Sequence, residues 1–127
     1  LTIPETTRLQ RLKTGMLIGF SCESGAMLGK APAPARQALH AYAHDLGLAF
    51  QIVDDLLDIE GDAAITGKAT GKDAAAGKAT FVSLLGTERA RAQADMLADQ
   101  AVGHLEMFQE KADPLRDLAR FVVTRHA

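Results

Sequence analysis

Residues 50–62 read Phe50-Gln51-Ile52-Val53-Asp54-Asp55-Leu56-Leu57-Asp58-Ile59-Glu60-Gly61-Asp62, so three carboxylates stand as Asp-Asp-x-x-Asp in an apolar run. At about 100° per residue, Asp54, Asp55 and Asp58 share one arc of roughly 100° on a helix. Gln51, His44 and His40 project onto the same stripe. Leu46, Ala49, Phe50, Ile52, Val53, Leu56, Leu57 and Ile59 cover the rest of the circumference. A helix that is apolar over most of its surface is buried. Its acidic stripe must then face a cavity, a cation or both, because unpaired buried carboxylates are costly and crowded like charges repel. Hard divalent cations remove both penalties, and Mg²⁺ prefers carboxylate oxygen together with water and phosphate. A solvated acidic face at a helix end is the competing explanation, and the apolar flanks argue against it. The two histidines are expected to be hydrogen-bonded structural residues, since Mg²⁺ disfavours imidazole.

A basic, Gly-rich segment follows, from Gly61 to Thr80, carrying Thr66-Gly67-Lys68, Thr70-Gly71-Lys72 and Gly77-Lys78-Ala79-Thr80. Glycine lets backbone approach a ligand closely, and lysines supply mobile point charges suited to phosphate. An acidic helix followed at once by such a loop fits a diphosphate held between metal and ammonium groups. A Walker A loop is excluded, because Gly77-Lys78 is followed by Ala79 and no strand precedes it. On composition alone a solubilising surface loop remains an equal reading.

The remaining pattern is helical almost throughout, with no convincing β-alternation. Leu9, Leu12, Met16, Leu17 and Phe20 mark an amphipathic helix over residues 6–29 with those residues as its core face. Pro32 and Pro34 break the chain near 30–35. The central helix is predicted over 35–60 and a short helix over 79–85, stopped by Gly86. A long helix is predicted over 87–112, capped by Thr87, with Met96, Leu97, Val102, Leu105 and Phe108 as core. Asp113-Pro114 opens a last helix as N-cap and N1. Arg125 and His126 are expected to fray.

The chain has 127 residues and a net charge of -2, so no global field favours nucleic acid or an anionic membrane. The single cysteine, Cys22, excludes an intrachain disulfide, suits a reducing cytoplasm and is expected to be a small packing residue. No apolar run reaches the ~18 residues of a membrane span. The chain opens on Leu1, from which a fragment or processed chain is expected.

Together, Phe50-Gln51-x-x-Asp54-Asp55-x-x-Asp58 with Gly61-Asp62 and Thr66-Gly67-Lys68 resembles the second aspartate-rich motif of trans-polyprenyl diphosphate synthases. Lys13-Thr14-Gly15 resembles the family's upstream Lys-Thr element, and Gly77-Lys78-Ala79-Thr80 its later Gly-Lys-x-Thr element. Three elements in the right order make the resemblance specific, with bacterial farnesyl diphosphate synthases as the nearest pattern. It covers essentially all of residues 1–127, but only the C-terminal part of a family member. The family's first aspartate-rich motif, its following arginines and its basic isopentenyl diphosphate site have no counterpart here, and Asp54-Asp55 is the only Asp-Asp pair.

The resemblance implies an all-α bundle around a central cavity and a head-to-tail condensation of isopentenyl diphosphate with an allylic diphosphate. The product would be farnesyl or geranylgeranyl diphosphate. It implies Mg²⁺, with Mn²⁺ as a substitute, held by Asp54 and Asp58 directly and by Asp55 through water. Lys13, Lys68 and Lys78 would hold the allylic diphosphate, with Lys72 less closely involved or only solvated. Some family members close a basic tail over the second diphosphate, but for Arg125 and His126 a frayed end is the expectation. Thr14 and Gln51 would turn oxygen dipoles toward the developing cation, and Phe50 would pack near the isopentenyl group. A cytoplasmic homodimer is expected, with the first acidic motif in an N-terminal segment outside residues 1–127, so the chain alone is expected to be inactive. The alternatives are a non-catalytic synthase-like subunit, a terpene cyclase-like domain, and an unrelated helical Mg²⁺ or phosphate binder.

Overall fold

The computed structural model describes residues 2–66 and 81–126, and no strand occurs among them. The elements are α1 (Ile3–Gln10), a π-helical turn (Arg11–Gly15), α2 (Met16–Leu28), α3 (Ala33–Thr66), α4 (Phe81–Leu85), α5 (Thr87–Gly103), a 3₁₀ segment (Glu106–Ala112) and α6 (Asp113–Thr124). The all-helical class inferred from the sequence is therefore observed.

The organising element is α3, whose 34 residues give it a length of about 50 Å at 1.5 Å per residue. Pro34 sits in its first turn, where a missing N–H costs no intrahelical bond. The helix runs past its predicted end at Glu60 and through Gly61, to Thr66. A Cβ built on Gly61 would meet no atom of the described residues within 4 Å. One side of α3 packs on α2 and the π-turn, another on α5, and α6 packs against both α3 and α5. Tyr42, Leu46, Ala49, Ile52, Val53 and Leu56 form its buried spine. Facing that spine, α5 contributes Ala90, Ala94, Ala98 and Ala101, each with no exposed surface. These small side chains let the two backbones approach closely.

The expected core face of the first helix is corrected by the structure. Leu9, Leu12, Met16, Leu17 and Phe20 are all exposed, the last two at 68% and 69%. The helix packs instead through its small residues: Gly15 at its start, Cys22 against the core and buried Ala26. A Cβ built on Gly47 of α3 would lie 3.0 Å from the Gly15 Cα. At this closest point only glycine fits on both helices; Ile18 packs beside it, its Cδ1 3.6 Å from the Gly47 Cβ position, while the larger Met16, Leu17 and Phe20 stay exposed. An exposed apolar face of this kind drives association. Residues 1–127 purified alone are therefore expected to self-associate, and a monomer in sedimentation velocity would contradict this.

Three boundaries also differ. The long fourth helix predicted over 87–112 ends at Gly103, and the 3₁₀ segment after it is kinked at Gln109, where φ is 52°. Arg116 holds the kink by donating to the Gln109 and Leu105 carbonyls. Met96 is exposed, whereas Leu97 and Leu105 are buried as expected. Gly86, with φ at 85°, and not Thr87, caps α5. Asp113 lies inside α6 and pairs with Arg116 at 2.8 Å instead of capping.

The core is pinned by Tyr42, 1% exposed, whose hydroxyl donates to the Leu115 carbonyl at 2.8 Å. Burial, with a smaller contribution from Cys22, pushes its phenol up to about 12. The neutral phenol is thus the stabilising form. Its contribution is complete below the ordinary value near 10 and is lost as pH rises through about 12. Tyr42→Phe is expected to cost about 1 kcal/mol at neutral pH. It should also flatten this alkaline loss, which urea melts at stepped pH would read; an unchanged alkaline slope would contradict the assignment.

Candidate active site

The acidic stripe is brought together by α3 alone. Carboxylate oxygens of Asp54, Asp55 and Asp58 lie within 4.8 Å of one another. Burial grades along the stripe: Asp55 is 9% exposed, Asp54 is half-buried and Asp58 is exposed. One turn earlier, Gln51 is 5% exposed and its Oε1 accepts the Thr14 hydroxyl proton at 2.7 Å. Thirty-seven residues separate these partners, and the close Gly15–Gly47 approach makes the bond reachable. With Oε1 occupied, Gln51 keeps its amide N–H groups for another acceptor. Thr14 keeps its lone pairs.

Thr14 and Lys13 belong to the π-helical turn Arg11–Gly15, a local widening common at functional sites. Sequence periodicity did not register it, and Gly15 is the one signal that could have. The Lys13 side chain lies outside the described residues, as do Lys68, Lys72 and Lys78.

A small groove of about 170 Å³ runs along α2 and α3, lined by Gly15, Met16, Gly19, Phe20, Glu23, His40 and His44. His40 pairs there with Glu23 through Nδ1 at 2.7 Å, so the expected hydrogen bond is present for His40, but as a largely exposed pair and not a buried structural one. Cys22 packs against the core, and burial, with Glu23 beside it, pushes its thiol up, which argues against a nucleophile.

Two interactions were not anticipated. Asp45, 7% exposed, meets His104 Nε2 at 2.9 Å. It lies nine residues before Asp54, about half a turn round the helix, so this pair braces the opposite side of α3. Arg125, expected to fray, is anchored. Its Nη2–H donates to the Phe50 carbonyl at 3.2 Å, its Nε–H donates to Val122, and its guanidinium lies 4.3 Å from the Phe50 ring centroid. Nothing in the local sequence of a helix end signals a contact 75 residues away.

The polyprenyl synthetase family model matches residues 2–117. The chain belongs to this family. It is 45% identical over 113 residues to a dimethylallyltranstransferase of Fischerella ambigua (strain UTEX 1903), covering 89% of this chain and 33% of that protein. It is 40% identical over 123 residues to farnesyl diphosphate synthase of Escherichia coli (strain K12), covering 94% of this chain and 41% of that protein. Among solved structures, an FPP/GFPP synthase from Zymomonas mobilis, in its apo form, superposes with a TM-score of 0.82 at 51% identity. That match covers 96% of this chain and 39% of the other. The chain thus spans between a third and about two fifths of the length of these relatives.

The donor set fits the divalent cation that the family implies. All three groups offer hard oxygen, they sit close enough to share one ion or an adjacent pair, and imidazole is absent from the cluster. No described helix is long and apolar enough to cross a membrane.

Proposed function

We propose that residues 1–127 form one wall of the active site of a short-chain trans-prenyltransferase. In this reading the parent enzyme joins isopentenyl diphosphate to an allylic diphosphate, giving farnesyl or geranylgeranyl diphosphate for isoprenoid biosynthesis. The observation that carries it is the joint placement of the Asp54–Asp55–Asp58 cluster and the Thr14–Gln51 bond on one stripe of α3.

Asp54 and Asp58 would hold a divalent cation directly and Asp55 would support it through water. When bound, such an ion would supply charge neutralisation that makes the allylic diphosphate a better leaving group. Lys13, Lys68 and Lys78 grip the same diphosphate. When its C–O bond breaks, the electron pair leaves with the diphosphate and C1 becomes an allylic cation. Thr14 Oγ, held in place by Gln51, turns its lone pairs toward that charge, and preorganised dipoles of this kind need no reorganisation as charge develops. The isopentenyl double bond then attacks C1 to form the new C–C bond, and the resulting cation gives up a proton from the adjacent carbon to the released diphosphate, with Phe50 packed against the isopentenyl group and water excluded. The facing acidic motif and the isopentenyl diphosphate site are proposed to come from sequence outside residues 1–127. A cytoplasmic homodimer using Mg²⁺ or Mn²⁺ completes the proposal.

The test is an assay of the full-length parent with labelled isopentenyl diphosphate and allylic diphosphates of increasing length. Metal-dependent extension by isoprene units is expected, and residues 1–127 alone should be silent. A cyclic hydrocarbon released without isopentenyl diphosphate would place the parent among cyclases. No turnover of any allylic diphosphate would indicate a non-catalytic subunit.

A further inference from the structure

Arg125 follows α6 directly, at a position where a solvated side chain is the ordinary expectation. It is half-buried and its guanidinium spans two elements. The Nε–H satisfies the Val122 carbonyl at the end of α6, and Nη2–H reaches the Phe50 carbonyl in the middle of α3. The same group stacks over the Phe50 ring. Among the described residues no carboxylate forms an ion pair with Arg125. Phe50 precedes Gln51, and in an α-helix its carbonyl also receives the N–H of Asp54. One side chain therefore grips both the ring and the backbone of the turn that presents Gln51 and Asp54.

We propose that Arg125 is a positioning residue, clamping Phe50 so that its ring forms a fixed wall for the isopentenyl group. This rests on the prenyltransferase reading above. The clamp acts on the second substrate through the ring, because the Phe50 carbonyl in the turn that presents Asp54 is already held by the helix's own N–H···O bond and needs no second donor.

The experiment uses the full-length enzyme with Arg125→Met, Arg125→Lys, Phe50→Leu and the Phe50→Leu/Arg125→Met double variant. Arg125→Met keeps the apolar stem and removes the fork. It should raise KM for isopentenyl diphosphate about tenfold while kcat and KM for the allylic diphosphate change less than about twofold. Arg125→Lys restores a cation over the ring without the second donor and should fall between. The double variant should be no worse than Phe50→Leu alone, because the arginine acts through the ring. Additive losses, an equal rise in KM for both diphosphates, or no effect of Arg125→Met would overturn the proposal. A second readout is independent of turnover: with fluorophenylalanine at position 50, Arg125→Met should shift and broaden the ¹⁹F resonance. An unmoved resonance would also overturn it. A parent that elongates nothing, yet shows the ¹⁹F change, would sink the assigned reaction and leave the clamp standing.

Discussion

Asp54→Ala in the full-length parent is expected to lower kcat at least about 10²–10³-fold, the scale of losing one preorganised electrostatic contact to a developing charge. The fold should survive. Asp54 is half-buried, it is not part of the apolar core, and its two acidic neighbours gain from losing a like charge. The melting temperature should therefore hold or rise while activity collapses. Steady-state kinetics at saturating Mg²⁺, with a thermal melt of the metal-free protein, checks both halves. Near wild-type turnover would remove Asp54 from the metal site.

Gly47→Val should be damaging for a different reason. A Cβ at position 47 would already stand 3.0 Å from the Gly15 Cα and 3.6 Å from the Ile18 Cδ1. The first of these is backbone, which no rotamer change can move aside. Overpacking of this kind costs about 1–3 kcal/mol. Its effect on catalysis should be larger than that cost suggests. Separating α2 from α3 lengthens the 2.7 Å Thr14–Gln51 bond, and a displacement of about 1 Å in a positioned group can cost about 10²-fold. Gly25→Ala is the matched control: a Cβ there meets nothing within 4 Å, and the change should stabilise α2 by about 0.5–1 kcal/mol. Equal outcomes for the two substitutions would show that the close approach has no role.

The parts of the site contained in one helix were legible in the sequence. Asp54, Asp55 and Asp58 meet because the helical period alone brings them together, and no knowledge of packing is required. The Thr14–Gln51 pairing depends on which face of α2 meets α3, and there the size of apolar side chains misled. Leu12, Met16, Leu17 and Phe20 formed the more conspicuous stripe, yet Gly15, Ile18 and Cys22 face the core side, with Ala26 also buried. Spacing of small residues was the signal to weigh. The break after Gly103 had a glycine to mark it, but the kink at Gln109 is held by Arg116 from the next helix and has no local signature. The same holds for Arg125, whose partner is 75 residues away.

The central claim is that the α3 carboxylates hold the cation that holds the allylic diphosphate. Anomalous scattering from crystals of the full-length parent, grown with Mn²⁺ and a non-cleavable allylic diphosphate analogue, tests it most directly. The account predicts a manganese peak at coordination distance, roughly 2–2.3 Å, from Asp54 and Asp58 oxygens and shared with the diphosphate. A diphosphate bound with its manganese away from these carboxylates would contradict it.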